Sequence, residues 1–374
     1  MTIEKLALPA GLVVLAIIAW AVLRQKPTPS VAPASTASAS SPSLSPGATG
    51  RAGIDAALDV LYPKEHDHRF GMHAAAGEST PPLEEVVVYR SQVPTPHWHY
   101  VTYGLSELGT KVSDDPAHSG FGIELTLRLL DDSDTPPIWP INLLRWLAGT
   151  VQRDKNPFGD GHSMPLVPDM LDTVSRGTEG VAFAVDSKLG TVKTANGEVK
   201  FLQVVPLTID EYALMGRWDA MKLFDEMRAI EPGLLWRVSR KSILHGVRGP
   251  EIEQRAKADG SSQAVDFDNV SWDEHMILLD ALNRHVVTKF LRYRVAYGRD
   301  ASIHSEDGKV LDLRVGPVAL KLDKDRASLS VPAARAAALA DQLAHAASNT
   351  IVKFDGRPLF RLGKMERLDP RFQK

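Results

Sequence analysis

The chain has 374 residues, 44% of them hydrophobic and 24% charged, with a formal net charge of −3; that length supports a substantial core and two lobes. There is no cysteine, which excludes disulfides, Cys-ligated zinc, thiol nucleophiles and a lipid-modified N-terminal Cys. Residues 1–50 hold Lys5, Arg24 and Lys26 against Glu4, so the rest of the chain carries −5, a balance that argues against a sequence-independent nucleic-acid binder.

Residues 6–23 are apolar apart from Pro9 and Gly11, with Glu4 and Lys5 before them and Arg24 and Lys26 after. The stretch just reaches the length of a single membrane-spanning helix. Ala19-Trp20-Ala21 has the form of a signal-peptide cleavage site, but the sparsely basic start and the Arg24/Lys26 pair favour an uncleaved anchor. The charge count leaves open which side of the membrane the body faces. Residues 27–50 are almost wholly Pro, Ser, Thr, Ala and Gly. Such a segment buries too little apolar area to offset its chain entropy, and as a flexible coil its ends lie about 25–30 Å apart.

The folded body begins near Gly53, with Ile54, Ala57, Leu58 and Leu61 on one helical face and Pro63 closing the helix. Strands are expected at 83–90, 97–103 and 121–130. In the last of these, Phe121, Ile123, Leu125, Leu127 and Leu129 alternate with Glu124, Thr126 and Arg128, the pattern of a half-buried strand. Trp139-Pro140 opens a helix whose buried face is Leu143, Leu144 and Leu147. A strand at 201–207 leads to a helix capped by Thr208 and Glu211, then to a helix carrying Met221, Phe224 and Met227 and a strand near 234–238. The 250–262 segment reads as polar and turn-rich, and the lobe boundary is placed between it and Trp272. Strands at 310–315 and 318–322, an alanine-rich helix at 333–347 and a closing strand at 351–354 complete the chain. The mixed order suggests α+β lobes rather than a βαβ array.

His97-Trp98-His99 invites a metal reading, since neutral imidazoles are common ligands. Two histidines at i and i+2 share a strand face and lack a third ligand at a companion spacing, so packing and hydrogen bonding are the competing role. His66, His68 and His73 have no regular period. Gly161-His162-Ser163 resembles half a nucleophile elbow, but Pro165 stands where the second Gly belongs. No phosphate loop or dinucleotide fingerprint occurs. No catalytic constellation survives, and no cofactor is expected.

Several ordered blocks resemble the suppressor of fused domain family: GIDAALDVLYP (Gly53–Pro63), PHWHYVTYGLSEL (Pro96–Leu108), SGFGIELTLRL (Ser119–Leu129), PIWPINLLRWLA (Pro137–Ala148), the Gly161-His162 turn, VKFLQVVPLTIDE (Val199–Glu211) and DGSS with SWDE (Asp259–Glu274). Beyond residue 311 the likeness rests on strand–strand–helix order. The resemblance implies a two-lobed α+β fold with mixed sheets flanked by helices, the larger lobe at 53–262 and a smaller one at 272–374, and no enzymatic activity. In animals the family restrains a Hedgehog-pathway transcription factor by gripping a short peptide of it between the lobes as an added β-strand; similar bacterial domains are thought to act as immunity proteins against toxins. The family's peptide pocket uses a Tyr where Thr150 stands here, and an Asp from a Gly-Asp-His turn, where here Gly161 is followed directly by His162. The expectation is therefore a membrane-tethered, bacterial, non-enzymatic module that holds a different protein partner, a toxin or effector domain, near Thr150, Gly161 and His162. The rival readings are a metal-dependent enzyme using His97 and His99, and a structural envelope protein.

Overall fold

The structure is a computed structural model and describes residues 49–63, 67–74, 80–166, 177–280, 283–305 and 307–363. The expected anchor at 6–23, nearly all of the linker, and His66 lie outside the described residues. Among the described residues, no helix is long and apolar enough to cross a membrane.

The chain forms two units and passes between them at 209/210, 223/224 and 243/244. The segment at 262–272, where the sequence suggested a boundary, lies inside the second unit, which also takes Asp210–Leu223.

In the first unit, α1 (Gly50–Leu61) precedes β1 (His68–Gly71), β2 (Glu85–Ser91), β3 (His97–Tyr103) and β4 (His118–Leu130). Then come α2 (Trp139–Asp154), β5 (Ser163–Pro165), β6 (Gly180–Val185), β7 (Thr191–Thr194) and β8 (Gly197–Leu207). The chain then leaves the unit for α3 (Ile209–Arg217), re-enters it at Phe224 within α4 (Ala220–Ile230), and β9 (Trp236–Arg237) returns to the same sheet. Helix α1 starts three residues earlier than expected because Thr49 caps it, its hydroxyl accepting from the Ala52 amide at 3.3 Å.

The strand order is β1-β2-β3-β4-β8-β6-β5, with β7 paired to β8 and β9 to β4. Pairing is antiparallel except where β8 and β9 run parallel to β4. Register sorts the side chains of this sheet. Val87, Val101 and Thr126 stand opposite one another, as do Tyr89, His99 and Arg128, so these share a face with the α1 cluster of Ile54, Leu58 and Tyr62. The opposite face carries Tyr100 and Leu127, and α2 lies against β3 and β4 with Leu143, Leu144 and Leu147 fully buried.

This arrangement corrects the expectation of a half-buried β4. Its alternation is real from Ile123 onward, yet Glu124, Thr126 and Arg128 are 0%, 0% and 3% exposed. A central strand covered by helical segments on both faces has no solvent side. Its polar residues must therefore find partners inside the protein.

In the second unit, α5 (Gly249–Asp259) occupies the segment read as a turn. Pro250 sits in its first turn, Ile252 and Ala256 supply a buried stripe, and Gly260 ends it at φ +65°. There follow β10 (Val265–Phe267), β11 (Ser271–Trp272), β12 (Ile277–Leu279), α6 (Asn283–Tyr293), β13 (Ala301–His304), β14 (Val310–Val315) and β15 (Ala319–Leu322). The unit ends with β16 (Arg326–Val331), α7 (Ala333–His345), β17 (Ile351–Phe354) and β18 (Arg357–Leu362). They form a five-stranded sheet, β10-β13-β14-β16-β15, and a four-stranded sheet, β11-β12-β18-β17. Phe290 and Leu291 of α6 and Leu339 and Leu343 of α7 belong to one core with Leu311, Leu329 and Phe360 of the strands. Both units are α+β with mixed sheets.

Candidate functional site

Asp186, at the end of β6, is the hub of the polar face of β3 and β4. Arg128 Nη2 donates to both of its carboxylate oxygens, at 2.9 and 3.0 Å. Thr126 Oγ1 donates to Oδ2 at 2.8 Å, and the Lys188 and Leu189 amides donate to Oδ1 at 2.8 and 3.1 Å. Burial alone would raise the Asp186 pKa; the hydrogen bond from His99 and the charge of Arg128 overcome it and hold the carboxyl well below the ordinary range.

The two histidines complete this network. His97 Nδ1–H donates to the Thr95 carbonyl at 2.7 Å, which leaves Nε2 as an acceptor facing Arg128 Nη1 at 3.4 Å. His99 Nδ1 lies 2.8 Å from the Tyr62 hydroxyl and its Nε2 3.5 Å from Asp186 Oδ2. That geometry suits Tyr62 O–H donating to a neutral imidazole whose N–H faces the carboxylate. Burial, with the Arg128 charge beside them, lowers both histidines to about 4. Three of the four ring nitrogens face protein groups at 3.4 Å or less, and a guanidinium sits among them. A cation placed there would meet Arg128 first, and among the described residues no group of His, Asp and Glu side chains is arranged to hold a metal ion. His68 instead packs edge-on to Trp98, with ring centroids 5.5 Å apart.

A second buried carboxylate fixes the long β3–β4 loop. Glu124 Oε1 accepts from the amides of Gly104 and Ser106 at 2.9 Å each and from Ser106 Oγ at 2.6 Å, while Thr102 Oγ1 donates to Oε2 at 2.6 Å. Burial raises its pKa to about 7 against these hydrogen bonds.

The residues singled out for partner contact fall into two kinds. Thr150 is 1% exposed, and its hydroxyl donates back to the Trp146 carbonyl of its own helix at 3.1 Å. Gly161 and His162 lie in the turn that opens β5. Gly161 has φ +80° and its amide donates to the Phe183 carbonyl at 2.8 Å. His162 Nδ1 accepts from the Gly159 amide at 3.0 Å, and burial lowers its pKa. The turn is not without an aspartate: Asp160 precedes Gly161, is exposed, and accepts from the Val185 amide at 3.1 Å. Beyond the turn, β5 is the terminal strand of the sheet among the described residues. Its bonds to β6 leave one side of its backbone directed outward.

Of these side chains, the sequence marked His97, His99, Gly161 and His162 and missed Asp186, Tyr62 and Glu124 as polar hubs. Asp186 carried one local signal, a lone carboxylate directly after the apolar run Gly180–Val185.

The segment that carries this site resembles known proteins. Residues 79–241 match the family model described as suppressor of fused protein (SUFU). The suppressor of fused homologues of Mus musculus and Homo sapiens are each 28% identical over 217 residues, covering 52% of this chain and 44% of theirs. The chain thus spans less than half the length of these curated relatives. The crystal structure of Drosophila Suppressor of Fused superposes with a TM-score of 0.68 at 16% identity, over 86% of this chain and 98% of that one. A chain of the Sufu–Fu complex crystal structure matches with a TM-score of 0.52 at 23% identity, over 57% of this chain and 99% of that one. At these identities the solved structures speak for the fold.

Proposed function

Because residues 79–241 are a suppressor of fused domain, we propose that the chain is a non-enzymatic binding module that captures an extended segment of a protein partner by strand addition. The observation that carries this reading is the position of β5 at the end of the first unit's sheet, next to the Gly159–His162 turn. An outer strand offers backbone donors and acceptors to an incoming strand, which supplies affinity without catalytic groups. A member of the same family was crystallised in a complex named Sufu–Fu, which supports a protein as the class of ligand.

The partner is a toxin or effector domain, and the apolar stretch at 6–23 tethers the module to a membrane with 27–50 as its spacer. Purification of the tagged full-length chain from its native host tests the first part: a partner identified by mass spectrometry must bind the chain when both are purified, and must inhibit growth unless the chain is co-expressed. Failure to reconstitute any such pair overturns the reading. Alkaline carbonate extraction tests the tether, which requires the full chain to stay with membranes and a chain beginning at residue 51 to be released.

A further inference from the structure

The loop between β3 and β4, residues 104–117, closes on itself. The Phe121 amide donates to the Leu105 carbonyl at 2.9 Å, and the Glu107 amide to Ser119 Oγ at 3.0 Å. Surface loops whose ends adjoin are filled by their own side chains, and here the filling is polar. Glu107 Oε1 accepts from the amides of Val112 and Ser113 at 2.8 and 2.6 Å, and Oε2 from Ser113 Oγ at 3.0 Å. Burial pushes the Glu107 carboxyl up, but those amides outweigh it and hold it below its ordinary range. Lys111 turns its amine onto Ser113 Oγ at 3.2 Å and onto the carbonyls of His118 and Asn196 at 2.8 and 2.6 Å. Asn196, 5% exposed, donates from Nδ2 to the carbonyls of Glu107 and Gly109 at 2.7 and 2.8 Å.

These bonds fix the backbone around a side chain that they leave in solvent: Val112 is 85% exposed. A lone exposed valine is ordinary. One whose own amide is tied to an ionised carboxylate is held in a single position, so a contact made through it loses little conformational entropy. The charges beside it are sorted. Lys111 and Glu107 are directed into the loop, whereas Asp114 and Asp115 are exposed. Asp115 is itself positioned, accepting from the Ala117 amide at 2.8 Å and lying 2.9 Å from His118 Nδ1.

We propose that the 104–117 loop is a preorganised docking knob: Val112 enters an apolar socket on a folded protein partner, and basic side chains rimming that socket meet Asp114 and Asp115. Removal of the Val112 side chain from water supplies the binding energy, and the flanking carboxylates select a basic rim over an acidic one. Glu107 is a positioning residue that touches no partner. The knob uses a side chain and needs no free strand edge, so it is a second surface beside β5; it rests on the reading of the chain as a protein-binding module.

The test titrates the partner that co-purifies with the full-length chain from its native host, itself repurified, against full-length variants. Val112→Ser should keep the wild-type melt and weaken binding about tenfold or more. Asp114→Lys should slow association at low salt, with the difference from wild type shrinking at high salt. In the wild type the Val112 and Ser113 amides should resist hydrogen exchange. Glu107→Ala should lose that protection and about tenfold in affinity while β3 and β4 stay protected. Glu107→Gln, which keeps an acceptor oxygen for both amides, should restore most of the affinity. A partner that binds Val112→Ser and Asp114→Lys as it binds wild type leaves the binding-module reading standing and overturns the knob. Fast exchange of the Val112 and Ser113 amides in the wild type overturns its preorganisation. A chain from which no partner is reconstituted overturns the binding-module reading and the knob with it.

Discussion

Arg128 and Asp186, 58 residues apart in sequence, meet in the interior of the first unit with Arg128 Nη2 at 2.9 and 3.0 Å from the two carboxylate oxygens. Their side chains are 3% and 0% exposed. A pair so enclosed is tied to the strands that carry it, and either partner left alone is a buried charge.

Asp186→Ala is therefore expected to destabilise the chain by about 3–5 kcal/mol, because it orphans the Arg128 guanidinium. The double variant Arg128→Met with Asp186→Leu should cost distinctly less than the sum of the two single changes, since it removes both charges together. Urea denaturation of wild type, Arg128→Met, Asp186→Leu and the double variant measures this directly; additive losses would show that the two side chains do not act as a pair.

The titratable groups predict opposing slopes with pH. His97 and His99 sit near 4 in the folded chain, below the ordinary value of about 6.5. The unfolded chain thus takes up more protons between those values, and their contribution to stability is lost as pH falls from about 6.5 to 4. Asp186, held low, adds a further loss as pH falls below its unfolded value. Glu124 runs the other way: burial lifts its pKa to about 7, above its ordinary value of 4.5, so its contribution declines as pH rises through that window. Glu124→Gln should consequently steepen the rise in stability between about pH 4.5 and 7 relative to wild type. Unfolding free energies across a pH series decide it, and parallel curves for the two proteins would contradict the Glu124 assignment.

Gly104 joins this loop to a neighbouring strand. Its φ is +132°, and a Cβ there would stand 2.7 Å from the Glu84 amide nitrogen. Gly104→Ala is expected to cost more than the roughly 1 kcal/mol of an ordinary left-handed glycine, because backbone must also move. A melt within about 2 °C of wild type would refute the close approach.

Thr150 separates packing from recognition. Restoring a tyrosine at this 1% exposed position should overpack the α2 interface and cost about 1–3 kcal/mol. Thr150→Val, which nearly keeps the volume, should leave partner binding unchanged. Calorimetry and a binding titration with the co-purified partner separate the two effects, and a binding loss in Thr150→Val with an intact melt would place Thr150 on the contact surface.

The periodicity of the sequence by itself determined the strands at 97–103 and 310–315, the alternation of β4 and the WP-opened helix α2, since each follows from local spacing of apolar side chains. The ordered blocks also carried the resemblance to the suppressor of fused domain, whose family model matches residues 79–241. Helix α5 was hidden because its buried stripe, Ile252 and Ala256, is too sparse to announce a helix among charged neighbours. Only the tertiary structure decided that the polar face of β4 is interior, because solvent exposure depends on what covers both faces of a sheet. It also decided that the two histidines share a hub with Asp186, whose contacts to β4 span up to 60 residues of sequence. The edge position of β5 is likewise set by strand order alone: three residues carry no sign of whether a neighbour pairs with one side of them or both.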